Sequence, residues 1–339
     1  MFPTSPGRTR YKLCFDHQPT MAPVPSSNTL IVGVSGPSSS GKTTLARLLR
    51  HIFNVNAGKV ALQLFILHED DFYKTDKLIP RKTFTSSDHG TRELDDWDCV
   101  ESLDLPLLKR VMTHVKGHGT LPPDFASKED QNTVGESGVS DDVVEGFKHE
   151  LESWLRHLPA SAAHPQPQTQ NTGASTCVTI CLLDGFLLYP NPGAPDDSQE
   201  RELHDILEHL LSPKLFIPST RQRTIERRTK RTGYVTLEGF WEDPPGYVED
   251  VVWPNYRRDH TWLFSGSDQS SAESDVTEAV DAGRVNRDVA AQAGILVGPG
   301  RGEAHLREIL PWAVERLKEA IGREVIGREI RTLMQGVSS

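Results

Sequence analysis

The sequence predicts an α/β protein whose core is a mostly parallel sheet of about five strands flanked by helices. Three observations predict it. Strand-length apolar runs alternate with segments of helical period along the chain, which is the pattern of parallel sheets. The first run, TLIVGVSG from Thr29, leads straight into GPSSSGKT (36–43) and then into a helix, KTTLARLLRHIF. Acidic residues stand immediately after two of the apolar runs, at the strand ends where open α/β sheets collect ligands.

Each element follows in order. A second apolar run, VALQLFIL (60–67), is a strand that ends in HEDDFYKTD. A charged loop leads to DDWDCVESLDLPLLKRVMTHV, where helical periodicity resumes; Asp98 and Glu101 have the spacing of a capping box, with Asp98 as the expected N-cap. From about 114 to 176 the chain is rich in Gly, Pro, Ser, Thr, Gln and acids and is expected to be an insertion. It holds one amphipathic helix, with Val143, Phe147, Leu151, Leu155 and Leu158 along its stripe, and then a linker, SAAHPQPQTQNTGAS. CVTICLLDGFLLY is a strand running into Asp184 and Gly185, KLFIPS (214–219) a further short strand, and RQRTIERRTKR a basic helix. The polar, acidic stretch 265–292 is expected to be a second loop insertion. GILVGPGRG and EAHLREILPWAVERLKEAI close the fold as strand, loop and amphipathic helix.

At 339 residues the chain has room for two average domains. Setting aside an N-terminal arm (1–28), the two insertions and a C-terminal helix end and tail (323–339) leaves roughly 200 residues, so a single domain over 29–322 is expected. The arm carries Arg8, Arg10 and Lys12, but Pro3, Pro6 and the lack of an apolar stripe favour a disordered segment over a transit peptide. Net charge is 37 − 47, or −10, which argues against a nucleic-acid binder. No run approaches the roughly 18–20 apolar residues of a membrane span. Cys14, Cys99, Cys177 and Cys181 have neither metal-finger spacing nor disulfide-scaffold density, so they read as reduced thiols in a cytoplasmic protein with access to the nucleus.

The string GPSSSGKT matches G-x-x-x-x-G-K-[ST] in full. Gly36 and Gly41 let the backbone around Ser38, Ser39 and Ser40 fold so that successive N–H groups face phosphate oxygens, with the helix N-terminus behind them at Thr44. Lys42 supplies a cation for the β and γ phosphates, and the Thr43 hydroxyl suits magnesium. This is a P-loop, and the fold expected around it is the P-loop NTPase fold. The N-K-x-D string of a GTPase is absent. LLDGF lacks the Asp-Glu ending usual in mechanical ATPases, which leaves that reading weak.

Phosphoryl transfer to a hydroxyl calls for a carboxylate beside the attacking oxygen. Asp70 is the first choice for that base and for a metal-side acid; Asp71, its neighbour, reads equally well as a solvated loop acid. Asp184 suits magnesium, directly or through water. Asp98 could hold a ribose diol, and Trp97 offers a flat face for a base, with core packing an equal alternative. From Arg221 to Arg231 there are six basic residues and one acid. Arg223, Arg227 and Arg231 recur every four residues, with Arg228 beside them, as a lid helix over transferring phosphates would need. Tyr234, just beyond, could close on the substrate ring opposite Trp97.

Taken in order, GPSSSGKTT, EDDFYK, WDCVESLD, LLDGFLLY, ERRTKRTGY and PPGYVEDVVWPNY closely resemble the nicotinamide riboside kinases, which stand with uridine kinases in the P-loop nucleoside kinase group. The resemblance covers about 29–112, 177–262 and 293–322. It implies transfer of phosphate from ATP, with Mg2+, to the 5'-hydroxyl of nicotinamide riboside, and in relatives also of nicotinic acid riboside, for NAD synthesis. It places the catalytic aspartate on Asp70 and the magnesium-binding hydroxyl on Thr43. The ribose aspartate falls on Asp98, the stacking aromatics on Trp97 and Tyr234, and the substrate-side string on Asp71, Phe72 and Tyr73. Arg227 and Arg231 correspond to ATP-binding lid arginines, Arg228 to a substrate-binding one, and GPGRGE with Arg301 to the adenine loop. Trp97 stands where the family has tyrosine, and Asp184 where it has glutamate. Uridine or cytidine kinase is the alternative, since uridine kinases usually carry a D-H-P that is missing here. A non-catalytic NTP-dependent switch or scaffold is disfavoured by the complete GKT, Asp70 and lid arginines.

Overall fold

A computed structural model describes residues 29–127, 136–158, 176–230, 233–235, 240–265 and 272–336. The expected arm, the linker after 158, Arg231 and the end of the tail lie outside the described residues. β1 (Thr29–Ser35) runs into α1 (Lys42–Phe53), and β2 (Val55–Ala57) and β3 (Val60–His68) follow. A 3-10 turn, Glu69–Phe72, leads to β4 (Arg81–Ser86), β5 (Gly90–Asp95), α2 (Leu105–His118) and α3 (Asp141–His157). Then come β6 (Thr176–Gly185), α4 (Gln199–Leu207), β7 (Lys214–Phe216), α5 (Arg221–Thr229), β8 (Tyr234–Val235) and β9 (Phe240–Trp241). A π-helical stretch, Val248–Val252, continues into α6 (Trp253–Phe264), and the described chain ends with α7 (Glu273–Asp281), α8 (Arg287–Gln292), β10 (Ile295–Val297) and α9 (Leu306–Gly336).

The main sheet has six strands in the order β10-β7-β1-β6-β3-β2. Five are parallel, the number expected; the sixth, β2, is an antiparallel edge strand paired with β3 that the sequence reading left out. Period-2 alternation divides the strand side chains between two cores. Val32, Val34, Ile180, Leu182 and Leu215 pack with α1, α3 and α9, whereas Ile31, Cys181, Leu183 and Phe216 pack with α2, α4 and α6. Register sets Ser35 opposite Gly185 and His68 opposite Asp184, so the entry to the P-loop and both acid-bearing turns emerge at one edge of the sheet.

Four sequence expectations need correction. Asp98 does not cap the helix that follows it. A 3-10 turn (Val100–Ser102) intervenes, and α2 is capped by Asp104, whose side chain accepts from the Leu107 N–H at 2.9 Å, with Pro106 in the first turn. α3 is where the amphipathic pattern put a helix, but Val144 rather than Val143 faces inward, and Leu151 and Leu155 sit in the same core as α1. It belongs to the packed fold and is not decoration. Leu151→Ala is therefore expected to cost about 2–5 kcal/mol in denaturant unfolding, and a loss below about 0.5 kcal/mol, the usual ceiling for surface changes, would return this helix to the surface. Within 265–292, α7 and α8 bury Val276, Val280 and Ala290 against the α6 side of the sheet. The charged loop before Asp96 is a hairpin, β4 paired antiparallel with β5. No helix among the described residues is long and apolar enough to cross a membrane.

Candidate active site

The P-loop wraps the N-terminus of α1. Gly36 has φ 150° and a Cβ there would strike the Ile217 carbonyl, so no larger residue fits this turn. The Lys42 side chain is buried, its ammonium donating to the carbonyls of Gly36 at 2.9 Å and Pro37 at 3.0 Å. The hydroxyls of Ser39 and Ser40 are buried and have no hydrogen-bond partner among the described residues. Donors left unsatisfied beside a buried lysine and a helix N-terminus suit a polyphosphate.

Thr43 Oγ1 donates to Asp184 Oδ2 at 2.6 Å, and His68 Nδ1 lies 3.2 Å from the same oxygen. Burial alone would raise the Asp184 carboxyl; the bonded His68, Lys42 and the Thr43 hydroxyl outweigh it and hold the group below the usual carboxylate range. A hydroxyl and an ionised carboxylate in contact are the hard oxygen donors that magnesium takes, the rest of its shell being phosphate and water. No group of three or more His, Cys, Asp or Glu among the described residues could hold a metal ion.

The turn after β3 sorts its residues. Asp70 is half-buried. Asp71 is a capping residue, its carboxylate reaching back to the His68 N–H at 3.4 Å. Phe72 is completely buried and stacks on Phe125 at 5.3 Å, so it belongs to the core and not to the substrate side the sequence reading gave it. Tyr73 meets Trp97 edge-on at 5.2 Å. Glu69, which the sequence reading did not single out, is fully buried beside Asp70, and burial pushes its carboxyl up to about 8.

Arg228 holds the opposite wall together. Its guanidinium donates to Asp243 at 2.7 and 3.1 Å, to Asp98 at 3.1 and 3.4 Å, and to Ser38 Oγ of the P-loop at 2.9 Å. Asp98 is thus joined through an α5 arginine, 130 residues away in sequence, to the phosphate loop. Burial pushes its carboxyl up to about 6 against the pull of Arg228, with Asp243 and Asp96 adding to the rise. Trp97 is 6% exposed and packs at 5.6 Å on Trp241, whose Nε1 donates to Asp243 at 3.0 Å. Tyr247 closes the cluster, its hydroxyl donating to the Asp95 carbonyl at 2.9 Å and accepting from the Trp97 N–H at 3.1 Å. Trp97, left open between base platform and core, is a packed wall of this aromatic cluster. Asp243, Trp241 and Tyr247 were not foreseen; the WEDPPGY string held them without any period to flag them.

The remaining arginines of the basic helix divide. Arg227 Nη1 donates to the Ser39 carbonyl at 3.3 Å, while Arg223 donates to the Gly302 carbonyl at 2.9 Å, tying α5 to the loop that carries the exposed Arg301. Arg231 and the Tyr234 side chain lie outside the described residues; the Tyr234 backbone pairs with Trp241.

No protein-family model matches the chain. The nicotinamide riboside kinase of Schizosaccharomyces pombe is 34% identical to it over 241 residues, 71% of this chain and 83% of that protein. The chain belongs to the nicotinamide riboside kinase family. The nicotinamide riboside kinases of Eremothecium gossypii and Saccharomyces cerevisiae are 27% and 28% identical, over 71% and 72% of this chain and 79% and 82% of their own lengths. Nothing among these relatives favours the uridine or cytidine kinase reading, and membership of a nicotinamide riboside kinase family agrees with the mostly parallel sheet and its P-loop.

Proposed function

We propose that this chain transfers the γ-phosphoryl group of ATP to the 5'-hydroxyl of nicotinamide riboside, giving nicotinamide mononucleotide for NAD salvage, with nicotinic acid riboside as a second acceptor. One observation carries the choice of acceptor: Trp97, Trp241, Tyr73 and Tyr247 cluster beside Asp243 and Asp98, one wall away from the P-loop. Nicotinamide riboside carries a cationic pyridinium ring, which aromatic faces attract. Uridine has a neutral ring and would gain less there.

In this reading the P-loop amides, Lys42 and Arg227 hold the triphosphate, and the residues Thr43 and Asp184 would hold magnesium. When bound, the ion supplies charge neutralisation on the phosphate oxygens. Asp98 and Arg228 orient the ribose. Asp70 takes the proton of the 5'-hydroxyl as its oxygen bonds to the γ-phosphorus, while the bond from that phosphorus to the β–γ bridging oxygen breaks and ADP leaves. Arg227 and Lys42 face the charge that grows on the transferring group.

Steady-state kinetics on a panel of ribosides with ATP and magnesium tests this. Nicotinamide riboside is expected to exceed uridine and cytidine in kcat/KM by about tenfold or more, the scale of one favourable ring contact. A panel led by uridine would overturn the proposal. ATP binding with no turnover of any riboside would replace it with the switch or scaffold reading.

A further inference from the structure

Glu69 has no part in the chemistry above, yet it occupies a tightly enclosed position at the sheet edge. Its side chain is 0% exposed. Its Oε2 accepts the Leu187 N–H at 2.9 Å, and the Phe186 N–H is also directed at this carboxyl. Gly185 lies so close that a Cβ there would strike Glu69 Oε2 and stand 2.7 Å from Glu69 Cβ. The residues it grips, 185–187, directly follow Asp184 at the end of β6, while Glu69 directly precedes Asp70 at the end of β3. His68 and Asp184 are already paired by sheet register, so beyond the last ladder bond it is this carboxyl that joins the two turns.

We propose that Glu69 is a positioning residue, its buried carboxyl locking the turn that carries Asp70 onto the loop that follows Asp184 and so setting the base against the magnesium-side acid. The inference rests on the reading of Asp70 as the base. A merely structural explanation is weak, because a buried carboxyl costs more than an apolar side chain of the same volume, and Oε1 has no hydrogen-bond partner among the described residues. The bond accepted at Oε2 exists whether or not the group carries a proton, so the clamp does not depend on its titration. What the clamp supplies is placement: a displacement near 1 Å at a reacting group can cost on the order of 100-fold in rate.

Three variants test it, with kcat and riboside KM measured on the full chain, ATP affinity by calorimetry, and melting temperature. Glu69→Met keeps the volume and removes the acceptor; it is expected to lower kcat about 10- to 100-fold while riboside KM and ATP Kd stay within about threefold. Glu69→Gln keeps a carbonyl oxygen for the two N–H groups and is expected to retain at least about half of the wild-type kcat. If the methionine variant does not fold, Glu69→Asp, which draws the carboxyl back by one methylene, takes its place with the same expectation. The proposal is overturned by a Met variant with wild-type kcat, by a Gln variant as impaired as the Met variant, or by kcat and both binding constants failing together. Asp70→Asn, run in parallel, separates the two readings. If it loses activity while Glu69→Met does not, only the clamp fails; if it keeps activity, the assignment of the base fails.

Discussion

Asp70→Asn is expected to lower kcat by about 10²–10⁴-fold, the usual contribution of a positioned general base, with ATP affinity within about threefold of wild type. Asparagine has the same shape and can still hydrogen-bond, but it cannot take the proton of the attacking hydroxyl. ATP binding should survive because the groups read as holding it lie off the Asp70 turn: the serine hydroxyls belong to the P-loop, and Lys42 and Arg227 contact it. Product formation under saturating ATP gives kcat, and calorimetry gives the nucleotide affinity. Activity within threefold of wild type would remove Asp70 from the mechanism. A parallel collapse of ATP binding would make it a structural acid of the turn.

Arg228→Ala has the second large expected effect, and it falls on stability and binding together. The guanidinium is the counter-charge of two carboxylates, Asp98 and Asp243, and all three side chains are largely out of water. Removing one partner of such a network leaves the others uncompensated, at a cost of about 3–5 kcal/mol. Riboside KM should rise as well, because Asp98 loses the group that orients it. The loss should also depend on pH. Asp98 sits at about 6 in the folded protein against 3.8 as its ordinary value. A raised carboxyl means that the folded state binds the proton more tightly, so this group's contribution falls as pH rises from about 4 through 6. Without Arg228 the folded-state value rises further and that window extends upward. The variant should therefore be penalised more at pH 8 than at pH 5, by denaturant unfolding at both. Arg228→Lys restores one charge but not the fork that reaches Asp243, Asp98 and Ser38 together, so it should recover only part of the loss. Equal stability of wild type and Arg228→Ala at pH 8 would show the network to be incidental.

The parts of the site that were legible in the sequence are those whose chemistry is written in adjacent residues. GPSSSGKT needs its glycines, lysine and threonine within eight positions, because one turn must offer all of its donors to one polyphosphate. The strand-end acids were legible for a related reason, since an apolar run that stops at a carboxylate marks both an element boundary and a sheet edge. Asp98 was harder. Its spacing to Glu101 satisfied a capping box, but it is Asp104 that caps α2, with Pro106 in the first turn. Local spacing suggested a cap, and the guanidinium of Arg228 decided what Asp98 does instead. Phe72 went the other way: it lies in the string that matches the family, yet the pleat and the 3-10 turn send it into the core against Phe125.

By itself the sequence determined the α/β class, the five parallel strands, the P-loop, the basic helix and, through ordered motifs, the family. These depend on period, on local backbone geometry and on residue type, all of which are carried by short stretches of chain. Only the tertiary structure decided that α3 is core, that Glu69 accepts from the Leu187 N–H, and that Arg228 joins Asp243 to Asp98. Each of these turns on a contact between segments that the chain does not place side by side. A buried acid is chosen by the partner that compensates it, and nothing in its immediate neighbours names that partner.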